Sequence, residues 1–327
     1  MSRDAVVAAL RRAQRVTAIC HEGPDADTLG AAIALRLAAE RLGKQAEVVA
    51  ADPIPPSLAI LPLIDEVRTR PALEPDVAVV VDGPLDRTGA VARESGDWLA
   101  RAQVVNIDHH VSNDGSGVAA AFVDADAAAT CEMVALLLPD LGVGLDLPLA
   151  TALMAGIVQD THTFAHPNAT PRTLRVAADL VEAGAPLSLI HRAIYADKPF
   201  STIALWGRIL AEVGQIRDGR IVHATMTLAM MAEVGVDPNA ADGVIDLLAS
   251  TKAADITLLF KEIGPGEVRV SVRTSARADA VAITQAFGGG GHARAAGCTV
   301  RRPLAEARRV VLEECERELD RADARGR

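Results

Sequence analysis

The stretch VTAICHEGPDADTLGAAIALRLAAERLGK, residues 16–44, indicates how the first half of the chain folds. It opens with a short apolar run, passes through a polar loop, and continues with Leu29, Ile33 and Leu37 at the spacing of one helix face. Gly43 marks the end of this helix. Because a strand followed by a helix is the repeating unit of parallel sheets, the stretch predicts an α/β architecture.

Further apolar, β-branched runs follow this unit. Together with the first run they predict strands near residues 15–20, 46–51, 76–81 and 103–107. From residue 127 to about 216 the pattern is helical almost throughout. We therefore predict an N-terminal parallel-sheet domain over residues 1–190, followed by a linker helix region over residues 191–213.

The last third of the chain predicts a smaller, mixed α+β domain over residues 214–327. The segments RIVHATMTL, DITLLFKEI and EVRVSVRTS alternate in the manner of strands. The second and third of these are joined by GPG at residues 264–266, which is a hairpin signal.

Composition and charge restrict the function. The chain has 327 residues and a formal net charge of −10, so its surface as a whole does not favour long nucleic acid. No apolar run reaches the roughly 20 residues that span a membrane, and the N-terminus lacks a signal-type apolar core. Four cysteines show no CxxC pair, which argues against a disulfide framework or a zinc site. We expect a cytoplasmic protein with reduced thiols and no membrane partner.

Acidic and histidine residues follow the predicted strands at the edge where parallel sheets bind ligands. A further aspartate ends the apolar helical run of ALMAGIVQDTHTF, residues 152–164. These candidates are His21, Asp25 and Asp27 after the first strand, Asp82 in VVVDGPLDR, Asp108, His109 and His110 in VVNIDHHVSN, and Asp160.

Each candidate alone has an ordinary structural explanation. A single aspartate after a strand is most often a helix cap, Asp27 in particular, and His109 and His110 fit a core histidine with its exposed neighbour. Their convergence favours a metal site, because several carboxylates buried together need cations to compensate their charge. Mixed imidazole and carboxylate ligands suit a divalent ion such as manganese.

These segments and the C-terminal GGGGHARAAG, residues 288–297, resemble in order and spacing the motifs of the DHH phosphoesterase superfamily. The resemblance covers about residues 10 to 300. It is closest to the branch of oligoribonucleases and 3′-phosphoadenosine-phosphate phosphatases (nanoRNases), which carry a C-terminal DHH-associated domain. The resemblance implies a hydrolase of short oligoribonucleotides, of linear or cyclic dinucleotides, or of 3′-phosphoadenosine 5′-phosphate. It also implies two divalent metal ions, expected to be Mn2+, and a homodimer.

Residue by residue, the resemblance implies one metal ion on His21, Asp25 and Asp82. It implies a second ion on Asp27, Asp82, His109 and Asp160, with Asp82 bridging the two. His110 would face the substrate phosphate, and Asp108 would orient a histidine. Two such ions can activate a water molecule for attack on a phosphoester.

The C-terminal glycines are open to two interpretations from the residues alone, a flexible turn or a phosphate cradle. The resemblance favours a substrate clamp and implies an active site in the cleft between the domains. The residues that it assigns to substrate are Arg273, Thr274, Ser275, Gly289, Gly290, Gly291 and His292.

One departure from the family pattern lies in DTHTF, where relatives usually have a glycine at the position of His162. This side chain and the nearby His166 could narrow the site, contact a phosphate, or be solvated loop residues.

Alternative functions would show other sequence features. A manganese-dependent inorganic pyrophosphatase of the same superfamily would carry a clamp rich in lysine and arginine. The single-strand DNA exonucleases of the superfamily are much longer, with an additional nucleic-acid-binding domain. A non-catalytic nucleotide sensor would be favoured by loss of a predicted ligand, and all six ligands are present.

Overall fold

A computed structural model describes residues 2–94, 96–236 and 243–325. By contacts between Cα atoms the chain divides into two compact units, Met1–Asp197 and Lys198–Arg327. In the described parts of the chain, no helix combines the length and the apolar character that crossing a membrane requires.

The first unit is built on a five-stranded parallel sheet, which confirms the predicted architecture. Its strands lie in the order β2-β1-β3-β4-β5. The bounds are β1 (Arg15–Ile19), β2 (Gln45–Val49), β3 (Val77–Val81), β4 (Gln103–Asp108) and β5 (Ala120–Val123). The first four coincide with the predicted strands. The sequence did not predict β5, because its four residues are too short a run to stand out.

The order of this sheet determines where a ligand can bind. The strand β2 lies on one side of β1, and β3 lies on the other side. From the neighbours β1 and β3 the chain therefore winds outward in opposite directions. A crevice forms outside the carboxyl ends of such a pair of strands. His21 follows β1 and Asp82 follows β3, so both lie at this switch point.

Helices cover both faces of the sheet, which is why the strand β3 is buried along its whole length. Most of the core lies on the face covered by the helices α1, α2, α5 and α6, and a smaller cluster that includes Ile19, Val80 and Val91 lies on the other face. The helices are α1 (Arg3–Arg12), α2 (Ala26–Arg41), α3 (Ala90–Glu94), α4 (Gly96–Arg101), α5 (Thr130–Leu141), α6 (Leu147–Asp160), α7 (Pro171–Glu182) and α8 (Leu187–His191).

The second unit contains a six-stranded mixed sheet of order β10-β11-β9-β8-β7-β6, as predicted for a mixed domain. Only β7 and β8 pair in parallel, and β8 and β9 form the predicted hairpin. The strands are β6 (Gly214–Ile216), β7 (Ile221–Met226), β8 (Ile256–Gly264), β9 (Glu267–Thr274), β10 (Gly290–His292) and β11 (Ala295–Val300). The helices are α9 (Phe200–Ala211), α10 (Leu228–Val234), α11 (Val244–Ala249), α12 (Ala280–Gln285) and α13 (Leu304–Arg325).

Candidate metal centre

The first unit brings together the six side chains that the sequence proposes as metal ligands. The side chains form three groups, and within each group the potential ligand atoms lie within 4.8 Å of one another. They are His21 with Asp25 and Asp82, Asp27 with His109 and Asp160, and Asp82 with His109 and His110. Their role as metal ligands stays a prediction.

The first group lies at the start of α2. His21 Nε2 is 3.2 Å from Asp82 Oδ2 and 3.7 Å from Asp25 Oδ1. His21 Nδ1 is 2.8 Å from the carbonyl oxygen of Glu22, so Nδ1 carries the proton that it donates there. This hydrogen bond leaves Nε2 facing the two carboxylates, the arrangement that metal-binding histidines require.

Asp25, rather than Asp27, is the cap of α2. Its Oδ1 accepts hydrogen bonds from the backbone N–H groups of Asp27 and Thr28, at 3.0 and 3.1 Å. The helix-cap role that the sequence suggested for Asp27 therefore belongs to Asp25. Asp27 lies in the first helical turn, where its carboxylate is completely buried.

The second group is centred on His109. Its Nε2 lies 3.2 Å from Asp160 Oδ2, 3.4 Å from Asp82 Oδ1 and 3.9 Å from Asp27 Oδ2. Since the other oxygen of Asp82 faces His21, one carboxylate spans both groups. A carboxylate that contacts two ligand groups through separate oxygens is suited to bridge two ions.

The backbone at Asp82 is strained. Its φ is +60°, a left-handed conformation that is rare outside glycine. Gly83 follows with a φ of +154°. Strained backbone of this kind concentrates at functional sites, where the surrounding structure maintains it. The conformation therefore adds a local sign of function that the sequence alone does not reveal.

Asp27 is held by the start of α5. The backbone N–H of Thr130 donates to its Oδ2 at 2.7 Å, and that of Cys131 donates to its Oδ1 at 2.8 Å. The hydroxyl of Thr130 also donates to Asp82 Oδ1 at 3.1 Å. Sequence reasoning missed Thr130, because a threonine before an apolar helix usually signals only a helix start.

Burial and neighbouring charges together shift the pKa values of three groups of the centre upward. Burial raises the pKa of Asp27 well above its usual range, and the nearby Asp160 and Asp82 add to the shift. Burial likewise raises the pKa of Asp160 to about 6. Although burial opposes it, hydrogen bonding to Asp160 and Asp82 raises the pKa of His109 to about 12. The clustered carboxylates therefore resist ionisation together, and a bound cation would compensate the charge of their ionised forms.

Asp108 is not a member of the ligand groups and instead holds His110. Asp108 Oδ1 lies 2.7 Å from His110 Nδ1, and Asp108 Oδ2 accepts a hydrogen bond of 2.6 Å from Asn113 Nδ2. The same amide of Asn113 donates to Asn106 Oδ1 at 2.8 Å, and Asn106 donates to the carbonyl oxygens of Val80 and Gly83. This network supports the expected orienting role of Asp108.

Asn106 and Asn113 were missed by sequence reasoning. The available signal was Asn106, a polar residue inside the apolar run of β4, because such a residue is buried and needs partners.

The predicted substrate residues of the second unit cluster at one end of its sheet. Arg273 pairs opposite Ala295, which pairs opposite His292, so the three form a row across β9, β11 and β10. The side chain of His292 lies outside the described part of the structure. Arg273 Nε donates to Asp246 Oδ1 at 3.0 Å.

Two neighbouring hydroxyl groups donate hydrogen bonds within the second unit. Thr274 Oγ1 donates to the carbonyl oxygen of Ala293 at 2.9 Å, and Ser275 Oγ donates to Asp255 Oδ1 at 2.9 Å. These bonds position the end of β9. Contacts of Thr274 and Ser275 with substrate stay a prediction.

Of the four glycines, Gly290 and Gly291 belong to the edge strand β10, whereas Gly288 lies in the turn before it. Gly290 pairs opposite Gly297 of β11. A Cβ atom at Gly289 would lie 2.3 Å from the carbonyl oxygen of Gly297, and one at Gly291 would lie 2.6 Å from that of Ala295. Close packing therefore explains two of the glycines, whereas Gly290 has open space beside it.

Comparison with known proteins agrees with this fold. Residues 15–157 match the DHH family, N-terminal domain, and residues 218–320 match the DHHA1 domain. A bifunctional oligoribonuclease and PAP phosphatase NrnA of Thermus thermophilus is 33% identical over 92% of this chain and 89% of its own.

Two solved structures share the fold. An exopolyphosphatase-related protein from Bacteroides fragilis superposes with a TM-score of 0.90 at 19% identity, over 98% of this chain and 97% of its own. RecJ of Thermus thermophilus in complex with Mn2+ superposes with a TM-score of 0.56 at 15% identity, over 98% of this chain and 54% of its own.

The chain belongs to the DHH family, in the branch that carries the DHHA1 domain. It is a hydrolase that acts on phosphoester bonds.

Proposed function

We propose that this chain hydrolyses short oligoribonucleotides, dinucleotides and 3′-phosphoadenosine 5′-phosphate, with two divalent ions, Mn2+ being the expected metal. The observation that carries this proposal is the Asp82 carboxylate, whose two oxygens face His21 and His109 at 3.2 and 3.4 Å. The similarity to the NrnA protein of Thermus thermophilus over nearly the whole chain supports the choice of substrates.

The donor set fits divalent ions of this kind. His21, Asp25 and Asp82 would hold one ion, and Asp27, Asp82, His109 and Asp160 the other. The carboxylate and imidazole ligands suit Mn2+, and Cys131, the nearby thiol, has its pKa raised by burial, which disfavours a thiolate ligand. When bound, the ions would lower the pKa of a water molecule and neutralise charge on the phosphoryl group.

The remaining residues orient the reaction. His110 lies beside Asp82, with Nδ1 3.7 Å from Asp82 Oδ1, and is fixed by its hydrogen bond to Asp108. We assign its Nε2 to an oxygen of the scissile phosphate. Arg273, held by Asp246, is assigned to a second phosphate or to the terminal nucleotide, because a guanidinium group can bind phosphate through two hydrogen bonds.

The test is Mn2+-dependent turnover of a matched panel. The panel contains RNA of two to five nucleotides, linear and cyclic di-adenylate, 3′-phosphoadenosine 5′-phosphate and pyrophosphate. Each is measured with the unmodified chain, with Asp82→Asn, and with the exposed control Asp86→Asn. Release of mononucleotide or phosphate that Asp82→Asn abolishes and Asp86→Asn leaves intact is the expected result.

Other outcomes would contradict the proposal. Turnover of pyrophosphate alone would make the chain an inorganic pyrophosphatase. Absence of turnover with Mn2+ bound, as measured by calorimetry, would make it a nucleotide sensor. Calorimetry also counts the ions, and a stoichiometry of one would overturn the two-ion centre.

A further inference from the structure

The loop after α6 has an unusual backbone. His162, Thr163 and Phe164 have φ values of +48°, +54° and +64°, so three successive residues with side chains are left-handed. Left-handed runs of residues other than glycine are disfavoured, because Cβ approaches the following carbonyl oxygen. Hydrogen bonds hold this one, from the backbone N–H of Phe164 to Thr161 Oγ1 at 2.9 Å and between Thr163 Oγ1 and His191 Nδ1 at 2.8 Å.

The loop places two histidine rings in a stack. The rings of His162 and His166 are nearly parallel, with an interplanar angle of 17° and centroids 5.3 Å apart. The ring of Tyr195 lies against His162, with centroids 4.5 Å apart. Its hydroxyl donates to the carbonyl oxygen of Gln159 at 2.7 Å, which fixes it beside the end of α6. We call His162, His166 and Tyr195 the ring stack.

The ring stack adjoins the candidate metal centre. His166 Nδ1 lies 3.3 Å from the carbonyl oxygen of Asp160, whose side chain belongs to the second ligand group. The backbone N–H of His162 donates to the carbonyl oxygen of Gln159 at 3.1 Å. Both histidines are exposed, so solvent reaches their side chains. The ring stack is therefore anchored to the residue whose side chain completes the second ligand group.

The chemistry of the ring stack favours a planar, uncharged group. Imidazole and phenol rings stack on nucleobases, and such stacking tolerates any base. Among the described residues, no group of three potential metal ligands includes His162 or His166. Aromatic residues form only 2% of the chain, so few other platforms exist.

We propose that the nucleobase of the nucleotide whose phosphate the metal centre binds extends the ring stack of His162, His166 and Tyr195. This inference rests on the proposed function and names the part of the substrate that the loop recognises. It assigns a role to His162, whose backbone is left-handed. The ring stack then favours nucleotides over phosphoesters and phosphoanhydrides that carry no base.

A binding measurement tests the subsite without turnover or metal. Adenosine, which has no phosphate, is titrated into the metal-free full chain while the histidine ring signals are followed by nuclear magnetic resonance. We expect saturable shifts of the His162 and His166 signals, assigned with His162→Gly and His166→Ala, and no shift of His223 in the second unit. Glycine at 162 retains the left-handed backbone, so this variant should fold. Unchanged His162 and His166 signals would overturn the proposal.

A kinetic measurement links the subsite to the reaction. The substrates are 3′-phosphoadenosine 5′-phosphate and the same bisphosphate with a hydrogen atom in place of the base. For His162→Gly and for His166→Ala we expect KM to rise by about tenfold on the first substrate only, with kcat changed less than about twofold. The exposed control Arg175→Ala should change neither constant. An equal rise on both substrates would mean that the histidines contact phosphate, which overturns the proposal.

The two measurements separate the two proposals. Adenosine-dependent shifts without turnover of any nucleotide would retain the base subsite and overturn the proposed function. Turnover of a nucleotide without those shifts would retain the proposed function and overturn the base subsite.

Discussion

Gly156 of α6 lies directly against Asp27 of α2. A Cβ atom at position 156 would be 2.4 Å from Asp27 Oδ1 and 2.4 Å from the sulfur of Cys131. The fully buried carboxylate of Asp27 is thus held by two backbone N–H groups of α5 on one side and by the bare backbone of α6 on another. The helix packing of the first unit and the geometry of its candidate metal centre depend on the same contact.

Gly156→Ala should therefore impair both stability and metal binding. The added methyl group must push Asp27 or Cys131 aside, and overpacking of a core costs about 1–3 kcal/mol of unfolding free energy. We expect weaker Mn2+ binding in calorimetry and a lower midpoint of thermal unfolding. Gly207 is the matched control, because it also lies in a helix but has nothing within 4 Å of its Cβ position. Equal metal affinity of Gly156→Ala and Gly207→Ala would contradict this reading of the contact.

Asn113→Ala should reduce turnover while metal stays bound. The Asn113 amide donates to Asp108 at 2.6 Å, and Asp108 fixes His110, so the substitution loosens the ring that we assign to the phosphate. Removing such an outer partner costs about 10- to 100-fold in activity. The effect should fall on kcat with unchanged Mn2+ stoichiometry, and the exposed neighbour Ser112→Ala should behave as the unmodified chain. Loss of a metal ion from Asn113→Ala would instead place this residue in support of the ligands.

Much of the fold could be predicted from the sequence because its signals are local. The apolar runs that form β1 to β4 and the hairpin of β8 and β9 are evident in short windows. The strand β5 was missed, since four residues carry too little pattern and its pairing with β4 is a long-range contact. The glycines at 289 and 291 illustrate the same limit, because the backbone of β11 that they contact is specified elsewhere in the chain.

The candidate site was predictable for residue types but not for their roles. Most of the carboxylates and histidines directly follow apolar strand runs, and this pattern is visible in short windows of the sequence. That Asp25 caps α2 while Asp27 is buried depends on three-dimensional contacts with Thr130 and Cys131, about a hundred positions away. The left-handed φ of Asp82 and of the DTHTF loop likewise has no local signal, because neither position holds glycine.

His223 should give the second unit a pH-dependent stability. Burial lowers its pKa below the usual histidine value of 6.5, and the charge of Arg308 adds to this shift. Between the lowered pKa and 6.5 the unfolded chain binds more protons, so stability rises with pH through this window and is lost as pH falls. In His223→Gln this contribution disappears. Thermal unfolding of both chains is measured between pH 5 and 7, a range that includes about 6.5. The unfolding midpoint of the unmodified chain should fall more steeply on acidification than that of His223→Gln. Parallel curves would contradict the assignment.

Arg273 and Asp246 should act as one unit in substrate binding. The carboxylate of Asp246 accepts a hydrogen bond of 3.0 Å from Arg273 Nε, and Arg273 Nη1 donates to the carbonyl oxygen of Val272 at 3.3 Å, so we assign Nη2 to the phosphate. Losing a hydrogen bond to a charged group costs about 1.5–3 kcal/mol, so Arg273→Lys should raise KM for a nucleotide by about tenfold or more. Asp246→Asn keeps an oxygen acceptor but removes the charge, so we expect a smaller rise in KM and little change in kcat. The surface pair of Arg208 and Glu233 provides the control, because Glu233→Gln removes a comparable ion pair of the same unit. If the contact holds, the double variant of Arg273 and Asp246 should have a KM no higher than that of Arg273→Lys. Additive increases in KM would show instead that the two side chains act independently.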